Sequence, residues 1–216
     1  MNLIFLIIEV ICFLASLALF FQASVPRYLK TFPFFLLLTI IIEIAGILLT
    51  KKKVDSIPMY NVFTTFEFIF YLYILRSIIY NIKVKKIILW LMAMYPVLVL
   101  INMIFFQKNT FHTNTYSLGC LLIVGACIYY FYEIFQTTHS VNLVKEPAFW
   151  ICSGLLFFYT CSFPLLGLWN HLHGLPRIIL RNLAAVMQIL NVLLYSLFSI
   201  AFLCRIRIQK KVRTAL

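Results

Sequence analysis

Apolar residues run along this chain in long continuous stretches separated by short polar breaks. A helix needs about 20 mainly apolar residues to span a bilayer. Seven stretches reach that length: about 2–24, 32–50, 59–81, 86–106, 115–136, 147–170 and 178–204. Pro26, Pro33, Pro58, Pro147 and Pro176 lie near stretch ends, where a missing N–H is harmless. Pro96 and Pro164 lie inside stretches four and six and are expected to kink them. The stretches are about twice the length of a barrel strand and do not alternate in polarity. The pattern predicts an all-α polytopic membrane protein, a seven-transmembrane-helix bundle over 1–204, with a basic tail over 205–216.

Composition narrows the class further. The 216 residues are 64% hydrophobic and 11% charged. A soluble domain carries about 25% charged and roughly 45–50% apolar residues. So apolar a chain cannot cover a water-facing surface, which excludes a soluble enzyme and a disordered tail. The net charge of +12 would ordinarily suggest a polyanion partner. Most basic residues, however, cluster at stretch ends, as topology signals and lipid-headgroup contacts do. Membrane lipids are therefore the expected partners, and nucleic acid is not. The six cysteines all fall in or beside apolar stretches and form no CxxC pair, so no zinc or redox motif is present. No cofactor motif is evident. The first stretch has no Lys or Arg before Arg27, which favours a retained span over a signal peptide.

Counting Lys and Arg sets the expected orientation. One side holds Arg27, Lys30, Arg76, Lys83, Lys85, Lys86, Lys145, Arg205, Arg207, Lys210, Lys211 and Arg213. The other holds Lys51, Lys52, Lys53, Lys108, Arg177 and Arg181. This imbalance predicts an outer N-terminus and a cytoplasmic C-terminus, with the Lys51–Lys53 run dissenting. The basic tail is expected to touch anionic lipid, or to dock a cytoplasmic partner.

Polar residues at membrane depth carry the functional signal, because a charge there costs at least about 2.5 kcal/mol and usually faces the bundle interior or a cavity. On a helical wheel, stretch seven places Arg177, Arg181, Gln188, Asn191, Tyr195 and Ser199 on one face. Stretch three aligns Tyr60, Thr64, Glu67 and Tyr71, beside Asn61. Stretch two aligns Thr39, Glu43, Gly46 and Thr50, and stretch six Ser153, Thr160, Pro164, Gly167 and His171. Stretch one offers Glu9, Cys12 and Ser16. Glu9, Glu43, Glu67, Thr160 and Gln188 lie roughly 10–15 Å below the outer surface at the helical rise, with Arg181 above them. The expected site is an outward-facing polar cavity lined by Glu9, Glu43, Tyr60, Asn61, Thr64, Glu67, Thr160, Arg181, Gln188 and Asn191. Pairing of Arg181 with Glu43 or Glu67 would leave the other carboxylates neutral, or free to bind a proton or cation. The competing reading is that such groups simply join helices by hydrogen bonds. His171 and His173, with His112, are weak metal candidates, since two His at i, i+2 in a loop are poorly spaced ligands.

Several seven-span comparisons fail on residues. A microbial rhodopsin needs a Schiff-base Lys in its last span, and no Lys lies between Lys145 and Lys210. A SWEET-type transporter would show parallel repeats, of which only the stripes in stretches three and seven offer an echo. No intramembrane Asp, GxSxG or HExxH marks a hydrolase. The segments MYNVFTTFEFIFYLYILR and LRNLAAVMQILNVLLYSLFSIAFLCRIR are instead similar to small bacterial seven-span membrane proteins associated with signalling genes such as sensor kinases. That resemblance implies a place in the bacterial inner membrane and a shared site containing Asn61, Glu67, Gln188 and Asn191. It implies no catalytic residue. The expected function is a sensor of a small polar ligand, or an accessory subunit of a membrane signalling complex. A small-solute or proton-coupled transporter and a lipid-acting intramembrane enzyme are the alternatives.

Overall fold

The computed structural model describes residues 3–22, 25–108, 110–136, 143–167 and 177–214, with side chains left out at 3–5, 177–180 and 207–214. Every regular element among them is helical: α1 (Leu3–Leu17), α2 (Phe32–Lys51), α3 (Ile57–Ile78), α4 (Ile82–Ile101), α5 (Thr113–Gln136), α6 (Pro147–Gly167) and α7 (Arg177–Thr214). A single turn, Arg27–Lys30, leads into α2, and a π-helical turn, Asn102–Phe106, closes α4. Five segments are long and apolar enough to cross a membrane: Arg27–Lys51, Ile82–Phe106, Thr113–Gln136, Pro147–Gly167 and Arg181–Ile206. The chain is thus an all-helical, multi-pass membrane protein.

The other two helices fall short for different reasons. α1 stops at Leu17, well before the expected residue 24. Beyond it the chain tightens, with Leu19 N–H donating to Ser16 O and Phe20 N–H to Leu17 O. Its 15 residues span about 22 Å, less than the roughly 30 Å of a hydrocarbon core. α3 has the length, at 22 residues, but Asn61, Thr64, Glu67 and Arg76 dilute its hydropathy. It is well enclosed, burying Asn61, Thr64, Phe68, Tyr71, Leu72, Ile74 and Leu75 among others. A helix shielded by its neighbours need not be lipid-like on every face.

A further difference lies at the end of the chain. The expected tail over 205–216 is not separate from the last span, because α7 continues unbroken to Thr214, 38 residues in all. That is about 57 Å, nearly twice the hydrocarbon thickness. No Pro or Gly interrupts it, so nothing in the sequence stops the helix.

The helices pack as an up-and-down ring. α1 touches α2 and α7, α5 touches α3 and α6, and α6 lies along α7. α2 meets α3 at both ends, with Phe32 and Phe35 on Phe70 and with Gly46 under Tyr60. At the end holding the C-terminus of α7, Glu133 of α5 accepts hydrogen bonds from the backbone N–H groups of Tyr80 and Asn81, 2.7 Å each. This carboxylate sits at the N-terminus of α4, where helix N–H groups lack partners and the helix dipole favours an anion. Asn81 caps the same helix by accepting from Lys83 N–H. The core of this half is aromatic: Phe35 stacks on Phe70 at 4.1 Å, and Phe32 meets Phe70, Phe198 and Phe202, each at 5.3 Å. Large apolar side chains such as Phe34, Val62, Trp90, Phe105 and Ile189 project outward. That is the distribution expected where lipid is the solvent.

Candidate functional site

The half of the bundle holding the α2–α3 and α4–α5 connections encloses a cavity of about 300 Å³. α3 supplies more of its wall than any other helix, through Ile57, Tyr60, Phe63, Thr64 and Glu67, which share one helical face. α2 contributes Thr39, and α7 contributes Asn191 and Tyr195. Phe111, Tyr116, Phe158 and Leu166 complete it from the α4–α5 loop, α5 and α6. Of the ten residues the sequence nominated, Tyr60, Thr64, Glu67 and Asn191 meet here. Thr64 and Asn191 also bond back to their own helices, Thr64 to Tyr60 O at 2.7 Å and Asn191 to Met187 O at 2.9 Å.

Glu43 joins the rim through Tyr60, whose hydroxyl donates to its carboxylate at 3.5 Å. Gly46 makes this contact possible, because the Tyr60 ring and hydroxyl occupy the space a Cβ at Gly46 would need. Glu67 is half-buried and lines the cavity. Glu9 is fully buried on α1, and neither of its carboxyl oxygens meets a hydrogen-bond donor among the described residues. The three carboxylates lie within electrostatic range of one another. The Tyr71 hydroxyl also lacks a hydrogen-bond partner among the described residues, and Tyr71 and Tyr159 are both in electrostatic range of Glu67. Uncompensated charge in so dry a setting costs several kcal/mol. Such a cluster is chemically equipped to take up a proton, a cation or hydrogen-bond donors from a ligand.

The remaining nominated residues lie elsewhere. Arg181 is exposed and forms no ion pair with Glu9, Glu43 or Glu67 among the described residues, so the expected arginine–carboxylate pair is not formed. Thr160 is exposed on the outside of α6, which instead buries Leu155, Phe158, Tyr159 and Ser162. The polar stripe of α6 therefore faces away, because its bulky apolar face is the one that packs. Gln188 is half-buried, one turn before Asn191 and outside the cavity wall. His171 and His173 lie outside the described residues.

Asn61 has a different task. It is buried, its amide donates to Thr110 O at 3.0 Å, and its carbonyl oxygen accepts from His112 N–H at 3.3 Å. His112 is wholly buried, with Nε2 3.1 Å from Asn61 O and Nδ1 2.8 Å from Thr115 Oγ1. A backbone carbonyl can only accept, so Nε2 carries the proton and Thr115 donates to Nδ1. Burial, the larger influence, lowers the His112 pKa to about 4, against the opposing pull of its backbone contacts. Both ring nitrogens are thus committed to structure rather than to a metal. The lattice continues through Asn102 Nδ2 to Gln107 Oε1 (2.7 Å) and Gln107 Nε2 to Thr113 Oγ1 (2.7 Å). It fastens the α4–α5 loop over the cavity and holds Phe111 in the wall.

Reasoning from the sequence missed this lattice and the aromatic lining. Polar residues crowded between Asn102 and Thr115 were the available signal for the first. The second had none, since Phe63, Phe111, Tyr116 and Phe158 look like any other core aromatics. No protein-family profile, no curated protein and no solved structure matches the chain.

Proposed function

We propose that this protein is a seven-span membrane sensor, or accessory subunit of a membrane signalling complex, that binds a small ligand in the α3-centred cavity. In this reading the cavity opens outward, the N-terminus is outside and the C-terminus is cytoplasmic, as the basic-residue imbalance favours. α1 and α3 cross with the five more apolar helices. The similarity of 59–76 and 180–207 to bacterial seven-span proteins of signalling loci supports an inner-membrane location.

The observation that carries the proposal is α7. The same helix lines the cavity with Asn191 and Tyr195 and runs on without a break to Thr214. A ligand that favours one packing of α7 therefore moves the basic end of a helix about 57 Å long. Transport is less well supported, because Phe32, Phe35, Phe70, Phe198 and Phe202 fill the other half of the bundle. The unpartnered Glu9 is the feature that would favour a proton-coupled carrier.

Affinity purification from native membranes in mild detergent, followed by mass spectrometry, tests the assignment. A stoichiometric partner bearing a kinase or other soluble output domain is the expected result. Proteoliposomes that accumulate a solute without any partner would refute it. Cysteine labelling at Lys53 and Thr214 in intact cells checks the orientation, with Lys53→Cys expected to be accessible from outside and Thr214→Cys not.

A further inference from the structure

We propose that the ligand is a single-chain cationic amphiphile, whose head occupies the cavity and whose chain lies between α2 and α3. This deepens the ligand-binding reading above and rests on it.

The head-group argument starts from charge and ring chemistry. Glu67 lines the cavity, with Glu43 at its rim and Glu9 behind. Arg181, the cation expected beside them, is exposed instead. Tyr60, Tyr116, Phe158 and Tyr195 line the same space. Carboxylates combined with aromatic rings are the chemistry that recognises ammonium groups, since both present negative potential in a dry pocket. An anionic head would meet the Glu67 carboxylate in the wall and Glu43 at the rim.

The chain argument comes from the adjoining groove. A second cavity of about 560 Å³ lies on the lipid side between α2 and α3, walled by Leu38, Ile42, Val62, Phe63 and Phe66. All of its walls are apolar. Phe63, half-buried, borders both cavities. The groove lies between the two places where α2 and α3 pack closely, Phe35 on Phe70 and Gly46 on Tyr60, which makes it the lateral way in along this seam. A wholly water-soluble ligand would leave the groove unexplained, whereas an alkyl chain fits its chemistry and its position.

Calorimetry on the full chain in nanodiscs, corrected with empty nanodiscs, tests this with four probes: dodecyltrimethylammonium, tetramethylammonium, 1-dodecanol and dodecyl sulfate. Dodecyltrimethylammonium is expected to bind about tenfold or more tightly than each of the others. Glu67→Gln should weaken it by about tenfold while leaving 1-dodecanol unchanged. Val62→Trp, which fills the groove, should remove the advantage over tetramethylammonium. Equal affinity for 1-dodecanol or dodecyl sulfate would overturn the cationic head, and equal affinity for tetramethylammonium would overturn the chain site. The head-group series on the wild-type protein decides the matter even if a variant fails to fold. If no probe binds but a different small molecule co-purifies and is lost in Tyr60→Ala, this inference fails and the ligand-binding cavity stands. If nothing binds or co-purifies, both fail.

Discussion

Acidification should loosen the lattice over the cavity through one residue. His112 is fully buried and neutral, with its pKa lowered from 6.5 to about 4 by burial. A histidine whose folded pKa is depressed stabilises the fold above its unfolded pKa, and the contribution is lost as pH falls towards the folded value. The window is therefore pH 6.5 down to 4. A difference of about 2.5 pKa units corresponds to roughly 3 kcal/mol in full, of which about 2 kcal/mol is lost by pH 5. For a chain of this size that is a fall of about 4–8 °C in midpoint. Thermal melts of wild type and His112→Gln in detergent, at pH 7.5 and pH 5, separate this from other titrations. Gln cannot gain charge but keeps a donor for Asn61 O and an acceptor for Thr115. The wild type should lose several degrees more than the variant on acidification. Equal losses would show that His112 already carries its proton at neutral pH, or is reached by water, and would refute the argument.

Other perturbations test other parts of the molecule. Glu133→Ala removes the acceptor shared by Tyr80 and Asn81 N–H and should destabilise by about 2 kcal/mol, read as a lower midpoint, with Glu133→Gln costing less because it keeps one acceptor. Gly46→Ala drives a methyl group into Tyr60, and should weaken ligand binding and cost on the order of 1–3 kcal/mol in stability. Phe32→Ala should cost about 3–5 kcal/mol, since its buried ring meets Phe70, Phe198 and Phe202. Burial raises the Glu146 pKa more than nearby Arg205 lowers it, so its protonated form suits the fold and stability is lost as pH rises through the folded value. Glu146→Gln should therefore match wild type at pH 4 and melt no lower, or higher, at pH 7.5.

The sequence by itself determined the class and the rough positions of the helices. Runs of about 20 apolar residues have no stable place except in a bilayer, and the backbone within a bilayer must satisfy its own hydrogen bonds. Periodicity also identified the α3 face carrying Tyr60, Thr64 and Glu67, because a central helix must turn its polar stripe towards its neighbours. The same logic misplaced Thr160, since a wheel shows which residues share a face but not which face packs. It also anticipated a partner for Arg181 that the rotation of α7 does not provide. Tertiary structure alone decided that Asn61 and His112 secure a loop, that Glu133 caps a helix 52 residues earlier in the chain, and that Phe63 borders both the cavity and the apolar groove. Each depends on contacts between helices distant in sequence, and neither hydropathy nor helical period encodes which residues those contacts bring together.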